Sequence, residues 1–426
     1  MVKFIEDGKK KMSHCQAPSP IKKIGWVSPF PPVKSGISVY SEALLKELTK
    51  NNEFVFTPIS AVSDKKRISL KNVKKKEYDL LIYSIGNHPL HLLSYERALK
   101  ETGIIFLHDM NLHDLLYFRS IKSKNPFLYL KYLLNESGDF ETIKKIVKNQ
   151  GQDRNLFINF PLIKELVLSN NYFIVHSEYA KKMIKEINVD AEVLKINHIC
   201  PWAERIERKN SEKIIIGIFG YLSKDRHIDK TIDVFKKFLP NSKKQIVLRF
   251  VGEDVDINLE NIIDEKGVRK NIEIYRNVDD DNFLKLMKEC DYAINIRHPV
   301  RGEMSSNLMK FIGFGIPTAI VYEKSFKDIP ENCIFPVKMD DFENSLFKFF
   351  LLIDSNDGSL KNISENAYNF AKNECNAFKI SQQIIEFIKI FDPNKKGKSL
   401  RKLKPKEILK IYGFEKSLKL YIKSLL

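Results

Sequence analysis

The feature that most constrains the fold of this 426-residue chain is its alternation of short apolar runs with helical patterns. In the first half, apolar runs that resemble strands are separated by helical or irregular segments, and residues 38–49 have the apolar spacing of a helix. Strands that alternate with helices are typical of parallel βαβ sheets. The first-half strands are predicted at residues 24–28, 54–59, 79–85, 103–107, 172–176 and 193–196.

The same alternation restarts after a polar stretch at residues 204–213. Helices are predicted there at residues 229–238, 281–289 and 307–314, and strands at residues 214–219, 246–251, 272–275, 292–296, 318–321 and 334–337. Two such series predict an α/β protein with two doubly wound, Rossmann-like domains that face each other across a cleft.

The domain boundaries follow from these patterns, and the length of the chain also favours two domains. We predict a leader at 1–22, a first Rossmann-like domain at 23–207, a second at 208–392 and a tail at 393–426. Residues 111–161 are helical in pattern without a convincing strand, which indicates a helical insertion in the first domain. The last helix of the second domain is a candidate for a return to the first.

Composition restricts the class of protein. A hydrophobic fraction of 43% with 29% charged residues is typical of a globular chain. No apolar run is long enough to cross a bilayer, and the charged N-terminus lacks the apolar core of an export signal. The five cysteines are scattered and have no metal-ligand spacing. We therefore expect a cytoplasmic protein with reduced thiols.

The formal charge of +17 is concentrated in the tail. Residues 393–426 contain eleven Lys or Arg and two Glu, and eleven minus two gives +9. Because the chain contains no recognised nucleic-acid module, we predict no specific nucleic-acid partner. Apolar residues recur among the tail lysines at near-helical spacing. Two interpretations stay open, namely a basic amphipathic helix on the inner, anionic membrane surface and a helix docked on the protein itself.

One loop of the second domain combines several groups that bind anions. Arg297 follows a predicted strand, Gly302 and Glu303 come next, and Ser305 and Ser306 stand where a helix should begin. Open α/β sheets bind ligands at the carboxyl ends of their strands, and a helix N-terminus there favours a phosphate. The loop therefore predicts one wall of a ligand site.

Other candidate residues also follow predicted strands. Each loop by itself also fits an ordinary turn, but their common sheet edge favours a shared site. An asparagine amide suits hydroxyl recognition, and a histidine can bond a sugar or accept a proton while a neighbouring aspartate orients it. The candidates are Ser35 and Gly36 after the first strand, Asn87 and His91 after the third, His108 and Asp109 after the fourth, and Gly220, Lys224 and Arg226 in the second domain.

An aspartate run at residues 279–281 also invites a metal interpretation. Acids directly before an amphipathic run more often cap a helix, so we predict a cap and no metal site.

Taken together, these loops resemble the retaining glycosyltransferases of the family-4 type, which have the GT-B fold. The resemblance covers about residues 23–390. It is carried by residues 31–36, Gly86 and Asn87 with His91, His108 and Asp109, residues 160–162 and 175–177, Phe219 and Gly220, Arg297, Pro299, Gly302, Glu303 and Ser305, and residues 315–317.

The resemblance implies transfer of a sugar, of the hexosyl type, from a nucleotide-diphosphate sugar to a hydroxyl group. The expected acceptor is a glycan or lipid-linked glycan, as in polysaccharide or glycoconjugate biosynthesis, and no metal or other cofactor is expected. The donor would lie against the second domain and the acceptor against the first. By the same resemblance, Arg226 would contact the pyrophosphate, Glu303 would hold donor-sugar hydroxyls, and His108 would lie near the reacting sugar.

The chemistry of the residues agrees with this reaction. Cleavage of a sugar–phosphate bond builds charge on the departing diphosphate, which Arg226, Lys224 and the helix start at residues 305–306 could stabilise. The departing phosphate oxygen can itself take the acceptor proton. A hydrolytic glycosidase needs two flanking carboxylates, and the sequence contains no convincing pair.

Two departures from the family pattern leave alternatives open. Many relatives have a second glutamate eight residues after the first, where this chain has Phe311 beside Lys310, so the nucleotide stays undefined. Relatives also often have Arg in place of Tyr221 and Lys in place of Arg226. The alternative hypothesis is a catalytically weak GT-B-like protein that binds nucleotide sugars or acts as a scaffold.

Overall fold

The computed structural model describes residues 22–62, 66–139, 141–142, 156–206 and 213–398. The predicted leader, apart from Lys22, and the tail beyond Lys398 lie outside the described residues.

The first domain is built on a sheet of seven parallel strands in the order β3-β2-β1-β4-β5-β6-β7. Strand β4 at its centre is buried along its whole length, as expected when helices cover both faces of a parallel sheet. The strands are β1 (Lys23–Ser28), β2 (Val55–Ser60), β3 (Ile68–Ser69), β4 (Leu80–Ile85), β5 (Ile104–Leu107), β6 (Tyr172–Val175) and β7 (Glu192–Lys195).

The described part of the first domain contains seven α-helices between residues 36 and 187. They are α1 (Gly36–Leu48), α2 (Leu92–Ala98), α3 (His113–Lys122), α4 (Pro126–Ser137), α5 (Leu156–Asn159), α6 (Lys164–Ser169) and α7 (Glu178–Ile187). Helices α3, α4 and α5 form the insertion between β5 and β6, where the described residues contain no strand.

The second domain is built on six parallel strands in the order β10-β9-β8-β11-β12-β13. The strands are β8 (Lys213–Phe219), β9 (Gln245–Val251), β10 (Ile272–Tyr275), β11 (Tyr292–Ile294), β12 (Thr318–Val321) and β13 (Phe335–Val337). The helices are α8 (Ile228–Phe238), α9 (Leu259–Lys266), α10 (Asp280–Lys288), α11 (Ser306–Gly313), α12 (Phe342–Asp354), α13 (Gly358–Glu374) and α14 (Ala377–Lys389).

Helix α14 returns to the first domain and packs against α1. Its buried Ile384 and Ile388 join the same apolar cluster as Leu44 and Leu48. The chain then continues along the first domain, where the Lys395 ammonium group lies 2.9 Å from a carboxylate oxygen of Glu192. The start of the predicted tail therefore lies beside the first sheet.

The predicted α/β fold with two Rossmann-like domains is confirmed. The sequence prediction missed β3, which has only two residues and no apolar run of its own. Strand β11 is shorter than predicted, because the chain after Ile294 turns into the loop that carries Arg297. No helix in the described ranges is long and apolar enough to cross a membrane.

A direct contact joins the domains at the N-terminus of α7. The Asp328 carboxylate of the second domain accepts a hydrogen bond from the Glu178 backbone N–H at 3.0 Å. The same carboxylate lies 3.1 Å from the Lys195 ammonium group. Asp328 thus binds a free N–H group at the N-terminus of α7 and also forms an ion pair with Lys195, both across the domain boundary.

We expect Asp328→Ala to destabilise this contact by about 1–2 kcal/mol, because an α7 donor and a half-buried lysine both lose their acceptor. Hydrogen exchange should report faster exchange of the Glu178 amide, with the core of the second sheet unchanged. The control is Glu186→Ala, whose partner Lys182 is 3.9 Å away at an exposed position, and it should have almost no effect. Unchanged protection of Glu178 in Asp328→Ala would contradict the assignment.

Candidate functional site

A cleft of about 250 Å³ lies between the carboxyl edges of the two sheets. Three of its lining residues come from the first domain and eight from the second, so both domains are needed to form it. Its lining residues are Asn87, Asp109, Asn111, Tyr221, Ser223, Asp225, Arg226, Arg297, Pro299, Arg301 and Glu303.

The loop from Arg297 to Ser306 forms much of the second-domain wall. Ser305 caps α11, because its Oγ accepts a hydrogen bond from the Leu308 N–H at 3.3 Å. Gly302 has a φ of +93°, and a β-carbon at this position would lie 2.7 Å from Cβ of Met110 in the first domain. A glycine is therefore required both by the backbone conformation and by the close approach of the domains.

Glu303 is held within this loop by its two neighbouring arginines. Its Oε2 accepts a hydrogen bond from the Arg301 backbone N–H at 2.9 Å, and its Oε1 lies 3.7 Å from Nη1 of Arg297. The Arg301 side chain donates to Oδ2 of Asp225 at 2.6 Å. Two of the three cleft arginines therefore have acidic partners inside the protein.

Arg226 is the third cleft arginine, and it makes no ion pair with any described acid. Its side chain lies over Gly220, and the residue is only 5% exposed. Its Nη1 has no hydrogen-bond partner within the described part of the chain. Burial lowers the pKa of Arg226 to about 9, and the charge of Arg297 adds to this shift. A buried cation without a partner is costly, so this position favours an anionic ligand.

The first-domain wall is organised around Asp109. Its Oδ2 accepts a hydrogen bond from the Asn87 backbone N–H at 2.7 Å. The Asn87 side chain donates to Asp114 at 2.6 Å and accepts from the Leu115 N–H at 3.1 Å. Asn87 thus fixes the start of α3, whereas the sequence prediction assigned its amide to hydroxyl recognition. The carboxylate of Asp109 is the ionisable group that this wall presents to the cleft.

Burial raises the pKa of Asp109 to about 6. The backbone hydrogen bond from Asn87 opposes the rise, the charge of Glu303 adds to it, and Arg297 opposes it. Asp109 and Glu303 thus influence each other from opposite domains.

His108 lies behind the cleft wall and is 8% exposed. Its ring stacks on Phe106 with centroids 4.4 Å apart, and its Nδ1 lies 3.2 Å from Nε2 of His176. Burial holds the pKa of His108 well below its ordinary value, so the ring is neutral. Its Nε2 has no partner among the residues described. The sequence prediction did not include His176 in the site, although it follows β6 at the same edge.

Of the other predicted residues, Ser35 and Gly36 lie near the N-terminus of α11, whereas His91 and Lys224 do not line the cleft. A β-carbon at Gly36 would lie 3.5 Å from Cβ of Ser306, so the loop after β1 faces the N-terminus of α11, and Ser35 immediately precedes α1. His91 is fully buried behind the wall, with Nδ1 3.1 Å from the Ser84 carbonyl oxygen. Lys224 is exposed and is not among the residues that line the cleft.

Several cleft residues were not among the predicted site residues. Tyr221, Ser223 and Asp225 lie between the predicted Gly220 and Arg226, and Pro299 and Arg301 lie within the Arg297 loop, so loop membership was the available signal. Asn111 had no signal beyond its position two residues after Asp109. The Asp279 carboxylate caps α10 by accepting from the Asn282 N–H at 2.8 Å, as predicted. Within the described ranges, no group of three or more His, Cys, Asp or Glu could hold a metal ion.

Residues 203–298 match the family model described as glycosyl transferases group 1. No curated protein matches the sequence. This matched segment contains β8, β11 and the cleft-lining residue Arg226.

Several solved structures have the same architecture. Sucrose-phosphate synthase from Thermosynechococcus elongatus aligns with a TM-score of 0.57 and 11% identity, over 86% of this chain and 98% of that one. HepE from Anabaena, in complex with UDP and glucose, aligns with a TM-score of 0.51 and 13% identity, over 87% and 100%. WaaG, a glycosyltransferase involved in lipopolysaccharide biosynthesis, aligns with a TM-score of 0.50 and 13% identity, over 86% and 99%.

These similarities show that the chain has the GT-B fold. The family match over residues 203–298 supports a glycosyltransferase.

The raised pKa of Asp109 predicts a pH-dependent stability. Because its pKa of about 6 exceeds the ordinary 3.8, the folded state binds the proton more tightly than the unfolded state, and stability is lost as the pH rises from about 4 through about 6. Asp109→Asn removes this loss and should stabilise the protein at pH 7 by at most about 3 kcal/mol. Urea unfolding at pH 4.5 and pH 7 measures the difference. The control is Asp340→Asn, at an exposed position outside the cleft. A difference in free energy of unfolding between the wild type and Asp109→Asn that is the same at both pH values would refute the prediction.

Proposed function

We propose that this protein transfers a hexosyl group from a nucleoside-diphosphate sugar to a hydroxyl acceptor, with retention of the anomeric configuration. The observation that carries the proposal is the buried guanidinium of Arg226 at the floor of the cleft, whose Nη1 has no hydrogen-bond partner among the described residues. A diphosphate supplies the negative charge and the acceptor oxygens that this group lacks.

The donor diphosphate would lie between Arg226, Arg297 and the N-terminus of α11. The backbone N–H groups at the start of α11 and its dipole add to the attraction for phosphate. Glu303 lines the same cleft, where its carboxylate can accept hydrogen bonds from hydroxyls of the donor sugar. As the sugar–phosphate bond breaks, these cations stabilise the charge that develops on the departing diphosphate.

The reacting hydroxyl of the acceptor would lie next to Asp109, on the first-domain side of the cleft. The departing phosphate oxygen takes the acceptor proton while the new bond forms on the same face of the sugar. Asp109 can accept a hydrogen bond from the incoming hydroxyl and orient it. A glycan or lipid-linked glycan acceptor, independence from metal ions and a cytoplasmic location stay predictions, as does membrane contact through the tail.

The alternative is a GT-B protein that binds nucleotide sugars without turnover. Its motivation is that this chain lacks the second glutamate of the family pattern. At the corresponding positions, Phe311 is fully buried, and the Lys310 ammonium group lies 5.6 Å from the ring centroids of Trp202 and of Phe283. Release of a free nucleoside diphosphate from nucleotide sugars in the presence of a glycan extract excludes this alternative. Binding without release in the same assay favours it.

Replacement of Arg226 by methionine separates binding from stability. Because the free protein no longer buries an unpaired cation, we expect Arg226→Met to unfold at the same or a higher temperature than the wild type. Its affinity for a nucleoside diphosphate should fall by about 10- to 100-fold, because charge-assisted hydrogen bonds are lost.

Calorimetric titration with UDP, GDP and ADP, together with thermal unfolding, measures both effects. Arg269→Met is a matched control, since Arg269 lies at an exposed ion pair with Glu260. Undiminished diphosphate affinity in Arg226→Met would contradict the placement of the donor.

Glu303→Gln tests the sugar-binding role. Glutamine keeps an oxygen acceptor for the Arg301 N–H, so the thermal unfolding temperature should change little. Loss of the carboxylate should lower transfer by about 100-fold or more while nucleoside-diphosphate binding persists. The assay is release of nucleoside diphosphate from a panel of nucleotide sugars with a glycan extract. Full turnover by Glu303→Gln would remove Glu303 from the reaction.

A further inference from the structure

Tyr221 is an exposed aromatic residue at the mouth of the cleft. It is 72% exposed and lines the cleft, whereas the other exposed aromatic residues of the described chain, Phe118 and Phe378, do not. A single exposed apolar residue is normal on a protein surface. An aromatic ring held at the entrance of a polar cleft is a more specific arrangement.

The main chain on both sides of Tyr221 is fixed. Gly220 has a φ of +104°, and its N–H donates to the Val251 carbonyl oxygen at 2.8 Å. Leu222 is fully buried, and its N–H donates to the Glu253 carbonyl oxygen at 2.8 Å. The outward position of Tyr221 is therefore imposed by a rigid turn, so little conformational entropy is lost when its ring receives a ligand.

The surroundings of this ring suit a ligand that carries several hydroxyls. Ser223 and Asp225 lie on the same loop, and Asp109 lines the opposite wall. One oxygen of Asp225 accepts a hydrogen bond from Arg301. Arg226 lies deeper on this loop and is the proposed anion-binding group. The loop thus places an aromatic face at the mouth and a cation at the floor.

We propose that Tyr221 is the stacking platform of an acceptor subsite that takes a pyranose ring. A pyranose whose hydroxyls are equatorial presents axial C–H groups on its faces, which pack on an aromatic ring, while its rim of hydroxyls bonds Ser223, Asp225 and Asp109. The subsite rests on the proposed function, because the acceptor is defined relative to a diphosphate at Arg226. It narrows the acceptor class to a pyranose with equatorial hydroxyls, whose ring packs on Tyr221 at the cleft mouth.

The test uses methyl β-D-glucopyranoside, in which every hydroxyl is equatorial, added to the full-length protein saturated with UDP. Saturation-transfer NMR should show contact of the protein with the axial hydrogens of the glycoside. Tyr221→Ala should weaken glycoside affinity by about fivefold or more, and Tyr221→Phe, which keeps the ring, should retain it. The affinity for UDP should stay within about twofold in both variants.

Phe378→Ala is the matched control, because it removes an aromatic side chain that is 61% exposed on α14, outside the cleft. It should leave the glycoside contact unchanged. A wild type that makes no contact with the glycoside, or glycoside contact that persists in Tyr221→Ala, overturns the subsite. Loss of UDP affinity in Tyr221→Ala also overturns it, because the ring would then belong to the nucleotide. Failure of the proposed function is a separate result, seen as the absence of nucleoside-diphosphate binding at Arg226.

Discussion

The structure depends on the parallel arrangement of every strand in both sheets. In a parallel sheet all strands end at the same edge, so the loops that follow β1, β4, β5, β8 and β11 meet there. The two edges face each other, and Gly302 in the second domain lies against Met110 in the first. Residues hundreds of positions apart thus form one cleft, and neither domain contains a complete site.

Charge is distributed unevenly within this cleft. Arg297 lies 3.7 Å from a carboxylate oxygen of Glu303, and Arg301 lies 2.6 Å from one of Asp225, so each has an acidic partner inside the protein. Arg226 has none among the described acids, although it is almost completely buried. A buried arginine without an acidic partner lowers the stability of the ligand-free protein, because its charge is desolvated. A bound anion offsets this loss of stability. In the proposed diphosphate site, Arg226 is therefore the arginine that the protein leaves free to pair with the ligand.

Apolar periodicity was sufficient to predict both sheets apart from β3, and it placed α1, α8, α10, α11 and the helical insertion, because burial of strand and helix faces is recorded locally in the chain. Helices such as α2, α7 and α9 were not predicted individually. The loops at the cleft were predictable as loops, but the roles of individual side chains were not. Arg226 and Lys224 lie in one short 3₁₀ turn, and a rotation of about 120° per residue decides which side chain is buried. Asn87 and His91 form hydrogen bonds to groups at Asp114 and Ser84 that only the tertiary fold brings near.

The central claim is that the cleft binds a nucleoside diphosphate through Arg226. The most direct measurement is a crystal structure of the protein with a nucleoside diphosphate bound. The account predicts a phosphate oxygen within about 2.7–3.0 Å of Nη1 of Arg226, with the β-phosphate directed to the N-terminus of α11. A diphosphate bound elsewhere, with the Arg226 guanidinium still unpaired, would contradict the account.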